Sequence, residues 1–255
     1  LKTKADDLTQ TQNEFALNWE LDTTQHKMIN FKGFKAIHKT SELTGQDRYA
    51  YDREQPFDTT IKYFNTYAVS QEITKPQYYV FPQAWKEVIE RLDDNKIEYI
   101  TFKTDTLIEV SSYYIEALET RENPYEGAYM HHNTQTRTET QSIQFFAGDV
   151  LISTNQISNR YIIETLEPTA PDSYFNWGFF DEVLQQKEYF SAYIFEEKAI
   201  EILENNPELK LEFETKKESD VEFNSNHWAQ LFYIYQHSEY YEKSHKRWLF
   251  CDLLF

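Results

Sequence analysis

The stretch Tyr78–Phe102, YYVFPQAWKEVIERLDDNKIEYITF, has two apolar ends around one amphipathic segment. Pro82 suits the first position of a helix, and the polar residues 93–95 suit its end. The flanking segments Tyr78–Phe81 and Ile97–Phe102 are short and rich in aromatic and β-branched residues, which predicts strands. The stretch therefore predicts a compact α/β unit over residues 78–102. The apolar residues at helical spacing are Trp85, Val88, Ile89 and Leu92.

The chain on both sides of this unit carries further strand patterns. Residues 4–20 predict the end of a helix that runs into an extended segment, and Met28–Ile37 and Thr60–Tyr67 predict short strands. After the unit, Gln141–Phe146 and Val150–Thr154 flank an Ala-Gly-Asp turn, which predicts a β-hairpin. The first two thirds of the chain are therefore expected to be rich in strands.

The last third of the chain changes to helical spacing. Tyr161–Leu166 predicts a short helix that stops near Pro168. Asn206 is predicted to cap a later helix with Pro207 at its first position, and a last amphipathic helix is expected behind Asn224-Ser225. A strand-rich first part followed by a helical third predicts an α+β fold.

Charge and cysteine content limit the partners of this chain. A net charge of −18 argues against nucleic acid, because nucleic-acid binding rests on clustered Lys and Arg. No apolar run reaches the ~18 residues that a membrane span needs. Cys251 is the only cysteine, so no intrachain disulfide is possible, and its apolar neighbours predict a buried, unreactive thiol.

Motifs for phosphate binding, nucleophilic catalysis and zinc binding are missing from the sequence. The five glycines form neither a phosphate-binding loop nor a nucleophile elbow. None of the seven histidines begins an H-x-x-E pair. His131 and His132 are adjacent, but neighbours on a strand point to opposite faces, so hydrogen-bonded or surface histidines are expected rather than metal ligands. The 43 acidic residues leave carboxylate pairs unassignable.

Three residues of the aromatic segment 159–186 are candidates for ligand binding. Arg160 is expected to pair with Glu164 on the same helix face or with a substrate carboxylate. Tyr174 and Trp177 are expected to form either a stacking platform for a ligand or part of a core or interdomain seam. The sequence predicts no catalytic residue and no metal ligand.

Several motifs, taken together and in this order, resemble one family. The chain is similar, over almost its whole length, to the part of bacterial zinc carboxypeptidase-like proteins (carboxypeptidase A-like metallopeptidases) that follows the catalytic domain. The motifs are FALNWELD (Phe15–Asp22), FKGFKA (Phe31–Ala36), DRYAYDREQPF (Asp47–Phe57), PQYYVFPQAWKEVIERL (Pro76–Leu92), NPYEGAYMHHN (Asn123–Asn133), NRYIIETLEPTAPDSYFNWGFFDEVLQQ (Asn159–Gln186) and WAQLFYIYQHSEYYE (Trp228–Glu242).

The resemblance implies a non-catalytic region attached to a peptidase. In that family an H-x-x-E pair and a later His hold zinc, and none of these can be assigned to a position here. Zinc is therefore expected in an upstream catalytic domain of the same polypeptide and not in this chain, and the resemblance implies a periplasmic or secreted protein. Residues 1–22 are then expected to be a helical tail or linker from that domain. Residues 23–255 would form the accessory domain, with a sub-boundary near 103.

Two functions from different classes follow. The first is an accessory domain that supports or walls the cleft of a zinc carboxypeptidase-like protein, and it predicts an apolar patch where the partner domain sits. The second is an independent module that binds a glycan or a peptide through exposed aromatic residues. A self-contained hydrolase using carboxylates is a weaker third possibility, and it requires activity that survives chelators.

Overall fold

The structure of this chain, a computed structural model, describes the backbone of residues 2–253 and the side chains of all of these but Leu8 and residues 249–253. Its fold is α+β, with most strands in the N-terminal part, as the sequence predicts. The chain divides into two compact units, Asn13–Thr74 and the pair of segments Leu1–Gln12 and Lys75–Phe255. Among the described helices, none is both long enough and apolar enough to cross a membrane.

The unit Asn13–Thr74 consists of two antiparallel strand pairs. Strands β1 (Glu14–Leu21) and β4 (Tyr67–Thr74) pair with each other, and β2 (Lys27–Thr40) pairs with β3 (Asp47–Tyr63). We call the β2–β3 pair the ribbon. The β1–β4 pairing joins residues before and after position 22, where a linker is predicted to end and the accessory domain to begin. The compact unit that contains this position spans Asn13–Thr74.

Glycine at position 33 allows the two strands of the ribbon to lie close together. A Cβ atom on Gly33 would lie 2.9 Å from Cζ of Phe57, which faces it on the neighbouring strand. At the tip, Gly45 has a φ of 70°, a backbone conformation that glycine adopts without steric cost. The predicted strand Met28–Ile37 lies within the longer β2. The predicted strand Thr60–Tyr67 is wrong in its bounds, because β3 ends at Tyr63 and Tyr67 begins β4, which pairs with β1.

The second unit contains two antiparallel three-stranded sheets. One has the order β10-β7-β8, and the other has the order β5-β9-β6. A core cluster of Val80, Val110, Ile143 and Phe145 draws its members from both sheets. The strands are β5 (Tyr78–Phe81), β6 (Ile100–Thr101), β7 (Thr106–Thr120), β8 (His131–Phe145), β9 (Val150–Ser153) and β10 (Arg247–Leu253).

The helices of this unit gather mainly in the C-terminal third. Four of them enclose a second core cluster that includes Phe195, Phe213 and Tyr235. Asn206 caps a helix and Pro207 is its first residue, which confirms that prediction. The helices are α1 (Lys2–Thr11), α2 (Lys86–Asp94), α3 (Asn159–Leu166), α4 (Ala192–Asn205), α5 (Pro207–Ser219), α6 (Val221–Ser225) and α7 (His227–Gln236), with a 3₁₀ turn at Asp181–Leu184.

The helix after β5 begins four residues later than predicted. Strand β5 has the predicted bounds, but α2 starts at Lys86 and Pro82 lies in the turn before it. The carboxylate of Asp149 accepts a hydrogen bond from the backbone N–H of Gln83 at 3.0 Å, and the Trp85 ring packs on Phe180. These two contacts keep residues 82–85 in a turn, so the helix begins only at Lys86.

The predicted strand Ile97–Phe102 is reduced to the two residues of β6. The N–H of Ile97 bonds to the carbonyl oxygen of Leu92 at the end of α2, and the N–H of Glu98 bonds to the side chain of Gln156. Since these donors already have partners outside a sheet, pairing begins only at Ile100.

The predicted hairpin of residues 141–154 is wrong. Strand β8 pairs with β7, whereas β9 pairs with β5 and β6. The chain changes sheets at residues 146–149, where the Asp149 carboxylate accepts the N–H of Phe146 at 2.8 Å and Gly148 has a φ of 101°. The predicted last helix behind Asn224-Ser225 is confirmed as α7, and its cap is Asn226, the residue after the short helix α6.

Candidate functional site

Arg160 lies on α3 and forms the ion pair that the i, i+4 spacing predicts. Its guanidinium bonds to the carboxylate of Glu164, and the two side chains are 35% and 40% exposed. Of the two alternatives expected for Arg160, the structure contains the ion pair within the helix. A substrate carboxylate at Arg160 stays a prediction.

Tyr174 is buried, with only 7% of its surface exposed. Its hydroxyl group bonds to the hydroxyl of Tyr161, which in turn accepts a hydrogen bond from the side chain of Asn95 at 2.9 Å. Its ring meets Phe179 edge-on at 5.3 Å between centroids. Burial, and next the hydrogen bond with Tyr161, raise the pKa of Tyr174 well above the usual range of tyrosine. Tyr174 therefore belongs to a buried polar chain rather than to an exposed platform.

Trp177 is half-buried and lies beside an exposed tyrosine. Its indole N–H donates to the carboxylate of Asp172 at 2.6 Å, and its ring lies 6.1 Å from that of Tyr125. The guanidinium of Arg121 lies 5.9 Å from the centre of the Tyr125 ring. Arg160, Tyr174 and Trp177 thus each have different partners.

The adjacent histidines have separate environments, as alternation along a strand predicts. His131 is buried, and its two ring nitrogens contact the hydroxyl of Thr120 at 2.8 Å and the carboxylate of Asp181 at 2.9 Å. His132 is half-buried and lies 3.2 Å from a carboxylate oxygen of Glu119. Within the residues that the structure describes, no group of three His, Cys, Asp or Glu side chains could hold a metal ion. The side chain of Cys251 lies outside the described residues.

The second unit contains a groove of about 780 Å³ that the sequence did not predict. It lies between the turn before α2, the segment around the 3₁₀ turn, and the start of β10, and we call it the aromatic groove. Trp85 packs edge-on against Phe180 at 4.8 Å, and Phe180 packs against Trp248 at 3.8 Å between ring centroids. A groove of this volume is in the range of small-ligand and peptide sites.

Three cations surround the aromatic groove. Lys86, Lys187 and Arg247 line it, and none of them forms an ion pair with any carboxylate that the structure describes. Glu242 also lines the groove, and burial alone would raise its pKa. Hydrogen bonds from the backbone N–H groups of Glu188 and Lys187 reverse that effect, so the pKa of Glu242 is lowered and its carboxylate stays charged.

Sequence patterns alone could not identify this groove. Trp85 has the spacing of a helical core residue, and Arg247 lies outside all of the motifs that carry the family resemblance. The groove exists because three segments far apart in the chain meet. The one available signal was the set of three Lys and Arg residues that flank aromatic or apolar runs in an acidic chain.

Comparison with known proteins found no protein-family model, no curated protein and no solved structure that matches this chain.

Proposed function

We propose that this chain is a non-catalytic accessory domain of a zinc carboxypeptidase-like protein, and that it supports or walls the cleft of a peptidase domain in the same polypeptide. The motifs of the sequence supply the family resemblance. The observation that carries the proposal is an exposed apolar face on the ribbon, since an accessory domain needs a surface for its partner. The same resemblance is the basis for proposing a periplasmic or secreted location.

The apolar face of the ribbon consists of residues that face each other across the two strands. Phe31 and Phe57 are 45% and 41% exposed, and their rings lie 6.1 Å apart. Ile29 pairs with Ile61 on the same face, because side chains alternate along each strand. A two-stranded ribbon is marginally stable by itself in water, so a partner that covers this face would stabilise it.

The charge of the ribbon also favours a partner. Lys27–Tyr63 holds seven Lys and Arg against five Asp and Glu, in a chain whose net charge is −18. Charge complementarity between two surfaces steers their association. The proposed partner surface is therefore apolar with an acidic rim.

Zinc chemistry in this proposal belongs to the partner domain. No H-x-x-E pair exists in this chain, and the described residues offer no cluster of ligands. After dialysis against trace zinc, the isolated chain should hold less than about 0.1 zinc per chain, because a stable site needs three or four ligands. About one zinc per chain in elemental analysis would contradict the accessory role, and His131 and His132 would be the first residues to substitute.

The direct test uses the full polypeptide that contains this chain. Its upstream coding sequence should encode an H-x-x-E pair and a later His. In that protein, Phe31→Ser with Phe57→Ser should lower the Tm and the carboxypeptidase activity, whereas Tyr193→Ser, at a residue 93% exposed on α4, should change neither. An upstream sequence without these ligands, or equal effects of the two sets of variants, would overturn the proposal.

A second candidate is a module that binds a glycan or a peptide through exposed aromatic residues, without help from another domain. The pair of Trp177 and Tyr125 beside Arg121 favours it, because aromatic faces and guanidinium groups are common in ligand-binding surfaces. Screening the isolated chain against neutral oligosaccharides and capped peptides tests this candidate. Binding that Trp177→Ala abolishes would favour it, and no binding at all would exclude it.

A further inference from the structure

The aromatic groove has features of a recognition site that are independent of the accessory role. We propose that it binds an acidic peptide segment, in which side-chain carboxylates flank an apolar anchor residue. The anchor would lie against Trp85 and Phe179, and the carboxylates would pair with Lys86, Lys187 and Arg247.

The floor of the groove suits one apolar side chain. Trp85 and Phe179 are half-buried and keep part of their surface at the groove, while Phe180 and Trp248 are buried behind them. The ring of Trp85 meets Phe180 edge-on, with 61° between the planes, and Phe180 meets Trp248 at 83°. Buried aromatic pairs of this kind fix the rings, so the floor is preorganised and loses little entropy when a ligand binds.

The balance of charge at the rim favours a negatively charged ligand. Of the three carboxylates in the groove, Glu242 accepts hydrogen bonds from two backbone N–H groups and the hydroxyl of Ser244, and Glu87 lies 3.9 Å from Arg91. Only Glu182 has no such partner among the described groups. Arg91 offsets the charge of Glu87, so three cations face two charged carboxylates, those of Glu182 and Glu242. The small positive excess at the rim is opposite in sign to the charge of the chain as a whole.

A peptide fits this floor better than an acidic glycan does. Sugar rings stack on the flat face of an exposed aromatic ring, but the rings of Phe180 and Trp248 are buried and present no open face. An apolar side chain needs less open ring surface, and the half-buried rings of Trp85 and Phe179 both line the groove. Clustered cations that bind acidic motifs are a recurring mode of peptide recognition.

The test compares two capped peptides that differ only in charge. The isolated chain is titrated with N-acetylated, C-amidated EFEE and with its neutral isostere QFQQ, and binding is followed by calorimetry. We expect EFEE to bind at least about tenfold more tightly, because charge-assisted hydrogen bonds are roughly twice as strong as neutral ones. Raising the ionic strength to about 1 M, where the Debye length is ~3 Å, should remove most of the difference.

Matched variants locate the binding. The double variant Lys187→Gln and Arg247→Gln should lose the preference for EFEE, whereas Lys103→Gln with Lys210→Gln, at two exposed cations outside the groove, should keep it. Trp85→Ala should weaken both peptides, since it removes the anchor contact. The comparison of EFEE with QFQQ on the unchanged chain decides the question even if a variant fails to fold.

Several outcomes would overturn this proposal without affecting the accessory role. They are no binding of EFEE, equal binding of both peptides, and binding that survives in the Lys187→Gln, Arg247→Gln variant. Hexagalacturonate is titrated in parallel as an acidic glycan of similar length. Saturable binding of hexagalacturonate without binding of EFEE would assign the groove to a glycan instead.

Discussion

The hydroxyl groups of Tyr161 and Tyr174 bond to each other inside the second unit, and the sequence does not predict this contact. It does predict the ion pair next to it on α3. The pair of Arg160 and Glu164 follows from i, i+4 spacing on a helix. The partner of Tyr174 does not, because it depends on how the segment after α3 folds back on that helix. Local spacing therefore predicts contacts within an element, whereas contacts between elements need the fold.

Tyr174 makes the stability of the chain depend on pH above about 10. Burial raises the pKa of Tyr174 in the folded state, so the folded state keeps a proton that the unfolded state loses near pH 10. Stability is therefore fully present below pH 10 and falls as the pH rises further. At pH 11 the wild type should lose about 1.4 kcal/mol more than Tyr174→Phe does, relative to pH 8.

Urea denaturation at the two pH values measures this difference. The buried Tyr235 and the partly buried Tyr241 also have raised pKa values, and both are present in wild type and variant, so their effect cancels. An identical loss of stability in wild type and variant would show that Tyr174 is accessible to hydroxide in the folded state.

His131 and His132 should differ sharply in their effect on stability. His131→Ala removes two side-chain hydrogen bonds and leaves a cavity beside Phe175, at a cost of about 2 kcal/mol. His132→Ala should cost less than about 1 kcal/mol, because its ion pair with Glu119 is exposed to solvent. Urea unfolding of the two variants gives both values. Equal costs would contradict the separate environments of the two rings.

At the scale of elements, the caps of the C-terminal helices are the features that the sequence indicates best. The side chain of Asn206 accepts the N–H of Leu209 at 3.1 Å, and that of Asn226 accepts the N–H of Ala229 at 3.0 Å. Replacing either Asn by Ala should cost about 1 kcal/mol of unfolding free energy. Asn224→Ala is the control, since Asn224 is exposed within α6, and it should cost less than about 0.5 kcal/mol. A similar cost for all three would mean that the caps contribute nothing specific.

Strand partners were harder to predict than strands. Alternation of apolar and polar residues indicates which face of a strand is buried, but it contains no information on the neighbouring strand. For this reason the predicted strand Val150–Thr154 is present as β9 (Val150–Ser153), but its predicted partner is wrong. The late start of α2 has a similar cause, because the Asp149 carboxylate that holds the preceding turn comes from a distant part of the chain.

At the scale of the whole molecule, the second unit should fold without Asn13–Thr74. Helix α1 is tied to the rest of this unit, because Lys75 donates to the carbonyl oxygen of Gln10 at 2.7 Å and Asn159 donates to that of Thr9 at 2.7 Å. Joining residues 12 and 75 through about four Gly and Ser residues should therefore leave one cooperative unfolding transition. Circular dichroism during urea unfolding measures it. Loss of the transition would show that β1 or β4 is needed to complete the second unit.

The fold class followed from the distribution of strand and helix patterns over the chain, but the groove did not. Its rim joins Lys86 to Lys187 and Arg247, which belong to three separate segments. Composition gave only the excess of acidic residues, and this excess concealed the local reversal of charge. A site built by tertiary packing has no signature in local spacing.

The position of β10 beside β7 has a consequence for the rate of folding. The Tyr114 hydroxyl reaches the carbonyl oxygen of Lys243 across 129 positions, whereas the ribbon closes within the single segment Lys27–Tyr63. Closing a long loop costs more chain entropy before any contact stabilises it, and non-local pairing slows folding. In a refolding experiment, Trp248 should therefore become buried only in a late phase. Until then the part of the β7 edge that β10 covers, residues 110–114, is unpaired and open to association with other chains, so refolding yield should fall as protein concentration rises.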